Sequence, residues 1–184
     1  MYCAVGFHPE EIHKVNENYL TEIRELSMHK KCVAIGEIGL DYYWVKENKE
    51  EQKRIFTEQV ILANELNLPV IIHSRDAHND TLEILKKHKP TGVLHCFSGS
   101  VEVMKEVLKL GMYIGLGGAV TFKNARVPLE VAKELPLDKL LLETDCPYMS
   151  PVPFRGKRNQ STYISFVAEK IAEMKNLTKE EILT

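Results

Sequence analysis

The sequence predicts an α/β fold built on a parallel sheet, and three observations carry that prediction. Six short β-prone runs recur along the chain, nearly continuous in Val, Ile and Leu, as strands covered on both faces are. Amphipathic helical stretches separate them. Four of the runs finish on a His, Glu or Asp, and parallel strands present their C-terminal ends at one rim, where barrel enzymes build their chemistry. Strand-helix alternation implies right-handed crossovers in an open doubly wound sheet or a closed barrel, between which periodicity alone does not choose.

The elements follow in order. The first run, Cys3 to Phe7, leads into Gly-Phe-His-Pro, so His8 stands at the rim. Val33 to Glu37 ends on a carboxylate. The helix predicted over Gln52 to Leu66 puts Phe56, Val60, Ala63 and Leu66 on one stripe. Val70 to His73 ends on an imidazole, and Asp80-Thr81-Leu82-Glu83 reads as a capping-box variant opening the next helix. Gly92 to Cys96 contains His95. Ser100 is the expected N-cap of Val101 to Leu110, with Gly111 as its C-terminal stop. Met112 to Leu116 and Leu140 to Glu143 complete the set, the last followed by Asp145.

The 184 residues suffice for one core, so a single domain over 1–184 without a linker is expected. With 24 Lys+Arg against 26 Asp+Glu, a net charge of -2 excludes a histone-like binder and confines any nucleic-acid contact to a local patch. No apolar run approaches the ~20 residues of a membrane helix. The N-terminus lacks a signal-like core, so the expected compartment is the cytoplasm, and no obligate protein partner is evident. Cys3, Cys32, Cys96 and Cys146 lack C-x-x-C spacing and read as reduced, buried thiols.

Two imidazoles and two carboxylates at four strand ends, Glu37, His73, His95 and Asp145, suit a divalent ion such as Zn, Mn or Mg in an open hydrolytic site. A lone strand-end His is usually structural, but buried titratable groups without partners cost several kcal/mol, so four together point to a cation. Strand parity places Cys96 and Cys146 on the face opposite His95 and Asp145, and gives Glu143 the parity of Asp145, as a partner orienting a ligand or a water. His13, His29 and His88 lie in polar helical surroundings and read as solvated, while His78 lies near the rim. Tyr42, Tyr43 and Trp44 follow Glu37 at the mouth, where they could stack a base or serve as a lid. Arg155, Arg158 and Arg75 are the candidate phosphate contacts, Arg155-Gly-Lys-Arg-Asn159 being a concentrated basic cluster or else a solvated loop.

Gly6-Phe-His-Pro9, Gly36-Glu-Ile-Gly-Leu-Asp-Tyr-Tyr43, Pro69-Val-Ile-Ile-His-Ser-Arg-Asp-Ala77, His95-Cys-Phe-Ser-Gly-Ser100, Glu143-Thr-Asp-Cys-Pro-Tyr148 and Arg155-Gly-Lys-Arg-Asn159 resemble, in order and spacing over essentially the whole chain, the TatD-type metal-dependent deoxyribonucleases. The resemblance implies a TIM (β/α)8 barrel of the metal-dependent hydrolase type. It implies cleavage of DNA phosphodiesters, single-stranded or at 3′ ends, with two divalent ions. By position Glu37 would bridge the two metals, His73 and His95 would complete the second, and Asp145 would hold the first and its water. The family's His-x-His pair on the first strand has no counterpart here, and about six of eight strands are present in a length below the ~250 residues of such a barrel. Met1 leads into what resembles the third strand, and Thr178 to Glu181 reads as a capping box opening a helix just before the end. The chain is therefore expected to be a truncated member. The alternatives are a non-catalytic remnant binding at most one metal, or an amidohydrolase acting on a small amide or lactone.

Overall fold

A computed structural model describes residues 1–183. All six apolar runs are strands: β1 (Cys3–Val5), β2 (Cys32–Asp41), β3 (Val70–Arg75), β4 (Gly92–Leu94), β5 (Tyr113–Leu116) and β6 (Leu140–Leu142). The helices are α1 (Tyr19–Ser27), α2 (Lys49–Leu66), α3 (His78–His88), α4 (Val101–Lys109), α5 (Arg126–Glu134), α6 (Ile164–Lys175) and α7 (Lys179–Leu183). The chain divides into two compact units, residues 1–94 with 110–112, and the remainder. No helix among the described residues is long and apolar enough to cross a membrane.

In the first unit β1 to β4 pair in parallel, in sequence order. Ile35, Ile38 and Leu40 of β2 and Val70 and Ile72 of β3 are buried with Ile55 of α2 and with its Phe56, Val60 and Ala63, these last three being the predicted stripe except for half-buried Leu66. Gly36 and Gly39 let β2 lie close to β3. A Cβ on Gly36 would stand 2.6 Å from the Cβ of Ile71, and one on Gly39, whose φ is +146°, 1.9 Å from the carbonyl oxygen of His73. The register moves from Gly36 opposite Ile71 to Ile38 opposite Ile72, so Glu37 occupies a β-bulge, a device that re-aims a side chain beside a site.

In the second unit β5 and β6 pair in parallel, and Ile114 and Leu116 are buried with Met104 and Val107 of α4, Val131 of α5 and Val167 and Ile171 of α6. Ser100 caps α4 as expected, its hydroxyl accepting from the Val103 amide at 3.4 Å, and Gly111 takes φ +81° just beyond the helix. Thr178 and Glu181 form the expected capping box, with the Glu181 amide 3.2 Å from Thr178 Oγ1 and the Thr178 amide 2.7 Å from Glu181 Oε2.

Three expectations are corrected. The strands do not all stop at the chemistry: β2 and β3 run past Glu37 and His73 to Asp41 and Arg75, whereas β4 and β6 end before His95 and Asp145. The β2–β3 ladder continues because its glycines permit the approach. The other two are broken where Cys96 (φ +43°) and Asp145 (φ +55°) turn left-handed, which also removes the parity relation drawn through Cys96. Asp80 caps nothing; α3 starts at His78, and the carboxylate of Asp80 instead accepts from the Tyr42 hydroxyl at 2.6 Å and pairs with Lys53 at 2.9 Å. Of the four free cysteines only Cys32 is fully buried; Cys96 is half-buried, and Cys3 and Cys146 are exposed.

Candidate metal site

The first unit brings Glu37, His73 and His8 together. One donor atom from each lies within 4.8 Å of the others, the single such trio among the described residues. His73 is held from both sides, Nδ1 at 2.9 Å from Glu37 Oε1 and Nε2 at 2.9 Å from Asp41 Oδ2. Asp41 is fully buried, and its Oδ1 accepts from the backbone amides of Tyr43 at 2.9 Å and Trp44 at 2.7 Å. Burial opposes charge on the imidazole, but the Glu37 and Asp41 carboxylates outweigh it and hold the His73 pKa above its ordinary value.

This geometry tests whether the residues fit a metal. With the Nε2 proton committed to buried Asp41, a neutral His73 turns its Nδ1 lone pair on a carboxylate oxygen 2.9 Å away. Two such donors repel unless a cation lies between them, and either a proton on Nδ1 or a metal ion supplies it. Glu37 and His73 therefore fit a divalent ion, with Asp41 orienting the imidazole from behind, as carboxylates commonly do for metal-binding histidines.

His8 fits less simply. Its Nδ1 accepts from the Glu10 amide at 3.2 Å, capping a 3₁₀ turn over Pro9–Lys14, so in the neutral ring the proton sits on Nε2, which faces Glu37 Oε1 at 3.4 Å. To bind metal through Nε2 the ring must exchange tautomers and release Glu10. His8 is an adjustable third donor beside a firm pair.

Two glutamines of α2, seven positions and hence two turns apart on one helix face, locate these strands. Gln59 accepts from the Phe7 amide at 2.7 Å and donates to the Phe7 carbonyl at 3.2 Å, fixing the backbone just before His8. Gln52 does the same for Asp41, at 2.8 and 3.1 Å, and reaches the Val45 carbonyl at 2.9 Å. Both are fully buried. Neither they nor Asp41 stood out in the sequence as site residues; the one available signal was amides on an otherwise apolar helix stripe.

The second unit carries its own arrangement. His95 Nδ1 meets Glu143 Oε2 at 2.9 Å, and Glu143 Oε1 accepts from the Cys96 amide, so Glu143 orients His95 and places the imidazole lone pair on Nε2. Gly115 makes room, since a Cβ there would stand 2.8 Å from Glu143 Oε2. Asp145 is half-buried on the turn after β6, its carbonyl accepting from the Tyr148 amide at 2.8 Å. Buried Asn159 donates to the carbonyls of Thr144 and Tyr148, both at 2.6 Å, and Ser150 to that of Lys157 at 2.6 Å, pinning the loop that presents Arg155 and Arg158. Arg155 lies over the Phe122 ring at 4.0 Å, and Arg158 is exposed.

Among the remaining candidates, Tyr42 is tied to Asp80, Trp44 is exposed, and Arg75 lies over the rings of Tyr43 and Trp44. His78 opens α3, where burial pushes its pKa down against the pull of Asp76. His13 and His29 are exposed as expected, whereas Nε2 of His88 is buried without a hydrogen-bond partner.

A family model described as "TatD related DNase" matches residues 1–184. The chain belongs to this family. The TatD-like chain is 53% identical over 185 residues to an uncharacterized metal-dependent hydrolase, YabD, of Bacillus subtilis, spanning 99% of this chain and 72% of that one. It is 45% identical over 177 residues to the similarly named YcfH of Escherichia coli K12, covering 93% and 67%. Among solved structures, the TatD homologue YJJV of E. coli K12 superposes with a TM-score of 0.93 at 37% identity, over 98% of this chain and 71% of that one. The fold is thus the TIM barrel of a family of metal-dependent hydrolases, with six of its strands described here.

Proposed function

We propose that this TatD-like chain hydrolyses DNA phosphodiester bonds, in single strands or at 3′ ends, with divalent Mg, Mn or Zn, two ions per site as in its family. The observation that carries the reading is the Glu37–His73 pair, which its 2.9 Å separation and the buried Asp41 behind it suit to a cation. The described residues form no second such trio. Glu37 and His73 are the proposed ligands of the first unit, and His95 and Asp145 those of the second. When bound, the metal supplies an activated water and stabilises charge building on the phosphate. The chain's own residues do the rest: Asp41 and Glu143 fix the two imidazoles, Asp145 and Glu37 take part in water activation, and Arg155, Arg158 and Arg75 neutralise phosphate oxygens.

The test is release of nucleotides from a single-stranded oligonucleotide by the metal-loaded chain, with His73→Ala as the inactive comparison. Cleavage of a small amide or lactone with DNA left intact would replace this reading with the amidohydrolase one. The single trio of donors among the described residues favours a second reading, in which this chain holds one ion without turnover. Elemental analysis separates the two, since two ions per chain together with turnover would exclude it.

A further inference from the structure

Beyond the metal site the first unit carries an aromatic and cationic cluster on the loop after β2. Trp44 is 62% exposed and Tyr43 46% exposed, so both side chains are open to solvent at this loop. The two rings meet edge to face, with centroids 4.8 Å apart and planes at 88°. The Arg75 guanidinium lies over the Tyr43 ring at 4.4 Å and over the Trp44 ring at 5.5 Å. A guanidinium held over aromatic rings by cation–π attraction still carries N–H donors, which match phosphate oxygens.

The cluster is tied to the metal pair by two routes. Asp41, whose Oδ2 meets His73, holds the amides of both Tyr43 and Trp44 through Oδ1. Arg75 follows His73 by two residues in β3, on the same face and about 7 Å along the strand.

We propose that Tyr43, Trp44 and Arg75 form a nucleobase-stacking subsite for single-stranded nucleic acid, the rings taking a base and Arg75 the adjoining phosphate. The assignment rests on the DNA-cleaving reading for its substrate class. Base stacking on aromatic rings is sequence-tolerant because every base has a π-face, so the subsite selects unpaired strand rather than sequence.

Trp44 is the sole tryptophan of the chain, so its fluorescence reports on this subsite directly. The metal-loaded chain is titrated with phosphorothioate oligothymidylate, which resists cleavage, and with an abasic polymer of equal length and charge. Saturable quenching by the first and not the second is expected; equal quenching by both, or by neither, overturns the subsite. In turnover, Trp44→Ala raises KM for a single-stranded oligonucleotide roughly 5- to 150-fold with kcat nearly unchanged, and Trp44→Phe restores most of it. Unchanged KM in Trp44→Ala and Tyr43→Ala also overturns it. If the oligonucleotide binds but is not hydrolysed, the proposed activity fails while the quenching comparison still decides the subsite.

Discussion

At the scale of single residues, the decisive object is one imidazole between two carboxylates. Asp41 does not face the proposed metal position, yet it determines which nitrogen of His73 does, and a carboxylate there makes the imidazole a better electron donor. Asp41→Asn is nearly isosteric: it retains an oxygen for the Tyr43 and Trp44 amides but removes the charge from Nε2. The expected result is a metal affinity weaker by roughly 10–100-fold, read by calorimetric titration of the metal-free chain with Mn. An unchanged affinity would show that Asp41 serves the loop alone. Asp41 also shows why part of the site escaped sequence reasoning: the predicted strand ends at Glu37 and leaves Asp41 four residues outside it, and only the register of Asp41 opposite Arg75, one pleat beyond Gly39 opposite His73, brings it against the imidazole.

At the scale of elements, α2 acts as a ruler. Replacing Gln59 by Leu leaves the Phe7 amide and carbonyl without their partner in a half-buried setting, and each unsatisfied group costs about 1–3 kcal/mol. The expected loss of stability is therefore about 2–6 kcal/mol in urea denaturation, against at most about 0.5 kcal/mol for Ile61→Gln on the exposed face of the same helix. Elements whose signal is local were legible: six apolar runs, the Phe56–Val60–Ala63 stripe, the Ser100 cap, and the Thr178–Glu181 box. What was not legible is tertiary. The ends of β2 and β3 depend on close approach at Gly36 and Gly39, those of β4 and β6 on left-handed turns at Cys96 and Asp145, and Asp80 was drawn from its expected cap by Tyr42 and Lys53. Buried glutamines interrupt a hydrophobic pattern, and pattern reasoning reads an interruption as surface.

At the scale of the whole molecule, the charge of His73 links stability, pH and metal. Without metal, the folded chain holds the His73 proton more tightly than the unfolded chain does, because Glu37 and Asp41 outweigh the burial that opposes it. A raised folded pKa contributes stability that is fully present below the unfolded value of about 6.5 and is lost as pH rises through the folded value. In chelator, the melting midpoint followed by Trp44 fluorescence, which reports on the first unit, is expected to fall as pH rises above 6.5, and to fall less in His73→Gln. Metal reverses the trend, since it takes the position of the proton and binds more tightly as Nδ1 deprotonates. At alkaline pH, metal at about 100 times its dissociation constant contributes about 2.7 kcal/mol, which for a chain of this size raises the midpoint by roughly 5–10 °C. The increment should shrink as pH is lowered through the His73 titration. A metal-induced shift that is independent of pH, or one retained in full by His73→Gln, would remove His73 from the ligand set and leave the carboxylates to explain the binding.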